Sequence, residues 1–120
     1  MTRLLAVFSL VSTLGFAETW SGALVDAGCY TREEQNVTNK GDVETNHDRS
    51  FEIRQCSPGA KTMKFAVVDR DGQSFKLDAA GNAKAARLVS EQHVKGWLDV
   101  TVSGRKSGGT VMADSISAYR

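Results

Sequence analysis

The stretch "TMKFAVVDRDGQSFKLD", residues 62–78, carries the clearest structural signal in the chain. Apolar side chains recur at every second position on both sides of a short polar turn, as in strands with one buried face. They are Met63, Phe65 and Val67 before the turn, and Phe75 and Leu77 after it. The dipeptide Asp71-Gly72 favours a tight hairpin. The stretch therefore predicts two antiparallel strands, with both phenylalanines in the core.

A helix is predicted directly after this hairpin. Asn82 suits the N-cap position, because its side-chain oxygen can accept hydrogen bonds from the free N–H groups of a first turn. Apolar residues then recur at helical spacing, and Gly96 ends the segment. The apolar positions are Ala85, Leu88 and Val89.

Three more segments have the alternation of strands. In "WLDVTVSG", residues 97–104, the side chains of Leu98, Val100 and Val102 share one face. A glycine-rich turn at 103–109 separates this strand from the last one, "TVMADSISAY". Near the start, "TWSGALVDAG" places Trp20, Gly22 and Leu24 on one face and Ser21, Ala23 and Val25 on the other. Gly22 inside this strand predicts a bend or a close backbone approach.

The order of these elements predicts the fold class. Five strands with one short helix between the third and the fourth favour a mainly β protein, a five-stranded OB-fold-like antiparallel barrel. Closing the sheet would hide the edges that five short strands otherwise expose. The alternative is an open antiparallel sheet with one packed helix.

The first 17 residues, "MTRLLAVFSLVSTLGFA", have the features of a secretory signal peptide. Arg3 precedes an apolar run, and small residues occupy positions 15 and 17, so cleavage is expected before Glu18. The rest, 18–120, has the length of a single domain. The chain has 15 Lys+Arg and 14 Asp+Glu, and removing Arg3 leaves 14 of each. A net charge of zero gives no general attraction to nucleic acid.

The chain has two cysteines, Cys29 and Cys56, at the ends of a long polar stretch. In an exported protein they are expected to form one disulfide. The chain-entropy model gives the closure of such a loop about 3.5 kcal/mol. The stretch 29–56 is predicted to be mostly loop, with at most a short helical turn. A free, reactive or metal-binding thiol is the alternative.

Three segments together resemble a family of small exported proteins of unknown function from soil bacteria such as acidobacteria. They are "WSGALVDAGC" (20–29), "KFAVVDRDGQSFKLDAAGNAKA" (64–85) and "GWLDVTVSGRKSGGTVMADSISAY" (96–119). The resemblance covers nearly all of the chain after the predicted signal peptide. It implies export, the disulfide and an OB-like barrel, and it implies no activity.

Aromatic and basic residues outside the predicted core are the candidates for ligand binding. OB barrels commonly bind ligands through aromatic side chains and flanking loops. The candidates are Trp20, Trp97, Arg105 and Lys106, and Tyr119 is a further aromatic residue of interest. Trp97 alternates away from the apolar face of its strand, which predicts an exposed indole. The polar stretch 29–56 and the turn at 105–109 would form the rim of the site.

The sequence gives little support for a metal site or for catalysis. Glu44, His47 and Asp48 could hold a metal ion in a small metal-dependent hydrolase, whereas a solvated surface loop is the simpler interpretation. His93 is interpreted as a cation near a helix C-terminus. No nucleophile elbow, P-loop or dinucleotide fingerprint is present in the sequence, so no catalytic residue and no cofactor are predicted.

These features favour an exported, periplasmic or secreted binding module without enzymatic activity. Its expected partner is an envelope or extracellular protein or glycan, with no nucleic acid and no membrane span after signal cleavage. The hydrolase using residues 44–48 is one alternative. A structural envelope protein without a ligand is the other.

Overall fold

The computed structural model describes residues 17–40, 49–92 and 96–119, with side chains omitted for 36–40. The predicted signal peptide, 1–17, therefore lies outside the described residues except for Ala17. The elements are β1 (Glu18–Asp26), α1 (Ala27–Lys40), α2 (Arg49–Gln55), β2 (Phe65–Val68), β3 (Ser74–Leu77), α3 (Ala79–Gln92), β4 (Asp99–Ser107) and β5 (Thr110–Ala118). The fold is mainly β, as predicted.

The five strands close into a ring in the order β1-β2-β3-β5-β4, which we call the strand ring. This arrangement excludes the open sheet. The prediction that the whole sheet is antiparallel is wrong, because β3 and β5 run parallel, with Leu77 opposite Val111. The reason is geometric: strand direction cannot alternate all the way round a ring with an odd number of strands, so one neighbouring pair must be parallel.

The inward faces of the strand ring form the main core. The alternation in the sequence identified this core correctly, since Phe65 and Phe75 are both buried. Helix α3 packs into the same cluster through its predicted apolar face. The buried members of the cluster are Leu24, Phe65, Val67, Phe75, Leu77, Ala85, Leu88, Val89, Val100, Val102, Val111 and Ala113.

The first strand changes partner halfway along, and Gly22 lies at the change. Its residues 18–23 pair with β4, whereas 23–26 pair with β2. At this point the backbone of Val68 comes so close that a Cβ atom at Gly22 would overlap the Val68 carbonyl group. The predicted close backbone approach is therefore confirmed.

Between the two cysteines, the described residues 29–40 and 49–55 are helical, so the prediction of a mostly irregular loop and of a single short helix in the fold is wrong. Asp26 explains why α1 begins where it does: its carboxylate accepts a 3.0 Å hydrogen bond from the Cys29 amide, which caps the helix. The same carboxylate accepts a 3.0 Å bond from the Thr62 hydroxyl. These helices bury few apolar side chains, and for that reason the segment has a loop-like composition.

Helices α1 and α2 cover the outer face of β1 and β2 and form a second, smaller cluster. Its buried members are Ala23, Val25, Ala27, Tyr30, Ile53, Cys56, Ala66 and Val68. The predicted disulfide between Cys29 and Cys56 is present, with Cα atoms 5.4 Å apart, so the alternative of a free or metal-binding thiol is excluded. The bond joins α1 to the residue that follows α2.

Two local predictions next to the hairpin are wrong. Helix α3 begins three residues before Asn82, because the Asp78 carboxylate accepts a 2.8 Å bond from the Gly81 amide and thus caps it. The Asn82 side chain instead accepts a 2.9 Å bond from the Phe65 amide and ties the helix to β2. Met63 lies before β2 and is 79% exposed, because regular pairing starts only at Phe65.

Candidate functional site

An open cleft of about 340 Å³ lies on the outer surface of the strand ring. Its walls come from the middle of β1, the start of α2, the turn between β2 and β3, and the ends of the β4–β5 hairpin that lie away from its turn. The lining residues are Ser21, Gly22, Ala23, Arg49, Ser50, Ile53, Val68, Asp69, Arg70, Trp97, Asp99 and Tyr119. Small side chains on β1 leave the space, and longer aromatic and charged side chains surround it.

Two exposed aromatic side chains form one wall of the cleft. Trp97 is 43% exposed and Tyr119 is 60% exposed, which is unusual for side chains of this size. Both residues donate a hydrogen bond to Asp99. Its carboxylate accepts a 2.7 Å hydrogen bond from the Trp97 indole N–H, and its backbone carbonyl accepts a 2.9 Å bond from the Tyr119 amide. The indole is therefore held in place with part of its surface open to solvent.

Two arginines form the opposite wall. The Arg49 Nη1 atom donates a 2.9 Å hydrogen bond to the carbonyl oxygen of Arg70, which ties α2 to the β2–β3 turn. The guanidinium of Arg49 also packs beneath Gly72, which has a φ of 86° and where a Cβ atom would come within 2.6 Å of the guanidinium. The Arg70 side chain is exposed and makes no hydrogen bond or ion pair with any residue that the structure describes.

The carboxylates of the cleft already have partners. Asp69 accepts hydrogen bonds of 2.9 Å from the amides of Asp71 and Gln73, so its charge stabilises the β2–β3 turn. Asp99 holds the indole of Trp97. The Arg70 guanidinium, by contrast, is a charged group of this cleft whose hydrogen-bond donors have no partner among the described residues.

Tyr30, on α1, is a buried polar residue close to the charge of Arg49. Burial, which is the largest cause, and the nearby carboxylates of Glu34 and Glu52 together raise the pKa of the Tyr30 hydroxyl from 10.0 to about 12. A hydrogen bond to Glu34 acts in the same direction, whereas the charge of Arg49 opposes it. Arg49 thus lines the cleft and also acts on the pKa of Tyr30, which is buried between the helices α1 and α2 and the strands that they cover.

The four ligand-binding candidates from the sequence do not form one site. Trp20 is half-buried and packs on Phe75 with ring centroids 5.7 Å apart, and the Lys106 Nζ atom lies 5.1 Å from the centroid of the same ring. Arg105 is exposed on β4, opposite Met112. Arg105 lies six positions after Asp99 along β4, a span of about 20 Å. Of the four candidates, Trp97 alone lines the cleft.

Sequence reasoning missed Asp99, Arg49 and Arg70. A signal for Asp99 was available: it lies two residues after Trp97, and positions i and i+2 of a strand share a face. Arg49 and Arg70 are distant in sequence and meet only because α2 folds onto the β2–β3 turn.

The candidate metal ligands Glu44, His47 and Asp48 lie outside the described residues, and so does His93. Within 17–35, 49–92 and 96–119, no three His, Cys, Asp or Glu side chains lie close enough together to hold a metal ion. In the same part of the chain, no helix has the length and apolar character needed to cross a bilayer.

Comparison of the chain with protein-family models, with curated proteins and with solved structures finds no match. The interpretation of the cleft therefore rests on its own geometry.

Proposed function

We propose that the protein is an exported binding module and that the cleft beside Trp97 is its ligand site. The observation that carries the proposal is the pair of exposed aromatic residues at the cleft, each of which forms a hydrogen bond with Asp99. Exposing an indole to water is unfavourable, and doing so in a concave site among polar groups is typical of ligand recognition. The module binds its partner without chemical conversion.

The strand order supports an OB-type barrel as the scaffold. The ring order, the parallel contact between β3 and β5, and the position of α3 between β3 and β4 agree with that assignment. In OB barrels, ligands commonly bind at an exposed strand face bounded by loops. Here α1 and α2 cover part of the outer surface, and the cleft opens at the margin of that cover.

Export is supported by two independent features. The intramolecular disulfide is the form that cysteines take in oxidising compartments. The first strand begins at Glu18, the residue that would follow signal cleavage. The resemblance to the small exported proteins of soil bacteria agrees with both, and the partner we propose is an envelope or extracellular protein or glycan.

Tryptophan fluorescence tests the proposal most directly. The Trp20→Phe variant leaves Trp97 as the single tryptophan, so its emission reports on the cleft alone. We expect saturable changes in emission when this protein, with its disulfide intact, is titrated with members of a panel of envelope glycans and peptides. Tyr119→Ala should weaken the response at least tenfold, whereas Lys84→Ala, on α3 away from the cleft, should not.

The proposal is wrong if no member of the panel changes the emission of Trp97. It is also wrong if a ligand binds with equal affinity to the native protein and to the Trp97→Ala variant, as measured by calorimetry.

A further inference from the structure

We infer that the ligand of the cleft is a carbohydrate that carries a carboxylate, such as a chain of uronic acid residues. The inference rests on the proposed binding function and names its ligand class. Three features of the cleft lead to it: the shape of the aromatic wall, the balance of charge, and the two arginines that line it.

The aromatic wall fits a sugar ring. A pyranose presents C–H groups on its faces and hydroxyl groups around its edge, so it packs on an aromatic face while its edge needs hydrogen-bond partners. In this cleft, Trp97 and Tyr119 offer the faces, and the hydroxyls of Ser21 and Ser50 lie among the lining polar groups. The volume of about 340 Å³ lies at the small end of the range for small-molecule sites.

The charge distribution disfavours nucleic acid. The chain after the predicted signal peptide has 14 basic and 14 acidic residues, so it lacks the excess of positive charge on which phosphate-backbone binding depends. Asp69 and Asp99 also line the cleft and would repel a closely spaced series of phosphates. A carbohydrate chain presents uncharged hydroxyl groups between its charges, and these can donate hydrogen bonds to the two carboxylates.

The arginines select for a carboxylate. A guanidinium has five N–H donors in a planar fork that matches the two oxygens of a carboxylate. Arg49 is held beneath Gly72 and gives one hydrogen bond to the Arg70 carbonyl oxygen, and the Arg70 side chain has no partner among the described residues. A carboxylate bound at Arg70 would form charge-assisted hydrogen bonds with its guanidinium, and the positive charge of Arg49 in the same cleft would favour this binding.

The experiment compares two ligands that differ only in this charge. Oligogalacturonate and its methyl ester have the same sugar backbone, and the ester is neutral. We expect calorimetry to show at least tenfold tighter binding of the acid to the native protein, with an affinity that falls as salt is added. Arg70→Gln should remove this preference, so that the acid and the ester then bind with similar affinity. Arg54→Gln, an exposed arginine on α2 that does not line the cleft, should retain it.

Each remaining outcome overturns a defined statement. Equal affinity for the acid and the ester contradicts the carboxylate and leaves the binding module standing. If neither binds while a peptide of the panel quenches Trp97, the carbohydrate is wrong and the module again stands. If no ligand in either experiment binds, the inference and the proposed function both fail.

Discussion

At the scale of single residues, Gly22 shows how one position limits what the fold tolerates. The partner change of β1 brings the Val68 carbonyl group into the space that a Cβ atom would fill. We predict that Gly22→Ala lowers the free energy of unfolding by about 1–3 kcal/mol, the usual cost of forcing an extra methyl group into a packed site. Urea unfolding measures the change.

Gly59→Ala is the matched control for this substitution. No atom outside its chain neighbours lies within 4 Å of a Cβ built at Gly59, so the free energy of unfolding should change by less than about 0.5 kcal/mol. A Gly22→Ala protein as stable as the control would show that β1 and β2 can separate at no cost.

Tyr30 makes stability depend on pH in a definite direction. Its pKa is about 12 in the folded protein against 10.0 in the ordinary case, so between these values the unfolded chain releases the phenolic proton and the folded chain keeps it. Stability contributed by Tyr30 is therefore complete below pH 10 and is lost as the pH rises towards 12. We predict a loss of about 1.4 kcal/mol per pH unit in this window.

Tyr30→Phe is the variant that isolates this effect. All other titratable groups are the same in both proteins. The difference between the two unfolding free energies should thus follow Tyr30 alone. If both proteins lose stability with the same slope between pH 9.5 and 11.5, the phenol is not protected by its surroundings.

At the scale of elements, the disulfide acts on the helical cover more than on the strand ring. The strand ring has its own core, whereas α1 and α2 are held by the few buried residues of the second cluster and by Cys29–Cys56. We predict that Cys29→Ser with Cys56→Ser lowers the free energy of unfolding by about 3.5 kcal/mol, as expected for a loop of 27 residues. Hydrogen exchange should increase first in α1 and α2.

The control for that measurement is the oxidised native protein in the same buffer. Exchange that increases equally in β4, β5 and the two helices would show that the cover and the strand ring unfold as one unit.

The elements also show what the sequence could predict. The alternation at Phe65, Val67 and Phe75 determines which face of β2 and β3 is buried, so the hairpin was predictable. Helices α1 and α2 were not predictable. The Asp26 cap and a few buried side chains hold α1 in place, and neither gives a helical pattern in a segment of polar composition. The site was predictable at Trp97 and Tyr119, which the sequence singles out as aromatic candidates, whereas Arg49 reaches the cleft through a tertiary contact.

At the scale of the whole molecule, the two groups of predicted ligand-binding residues belong to opposite ends of the β4–β5 hairpin. Arg105 and Lys106 lie near its turn, about 20 Å of strand away from Asp99. We predict that Arg105→Gln with Lys106→Gln leaves the affinity for oligogalacturonate within twofold of the native value, measured by calorimetry. A tenfold loss would mean that the ligand extends along the hairpin to its turn.

The odd number of strands has a mechanical consequence. The parallel seam between β3 and β5 contains two residue pairs, whereas β4 and β5 are joined by eight. Local opening of the strand ring should therefore begin at this pair of strands. The amides of Lys76 and Asp78 donate across it to the carbonyl oxygens of Gly109 and Val111. We expect these two amides to exchange their hydrogens before those of β4. Closing the ring of five strands removes its free strand edges, and the parallel pair that closure requires is also where β3 and β5 would first become exposed edges.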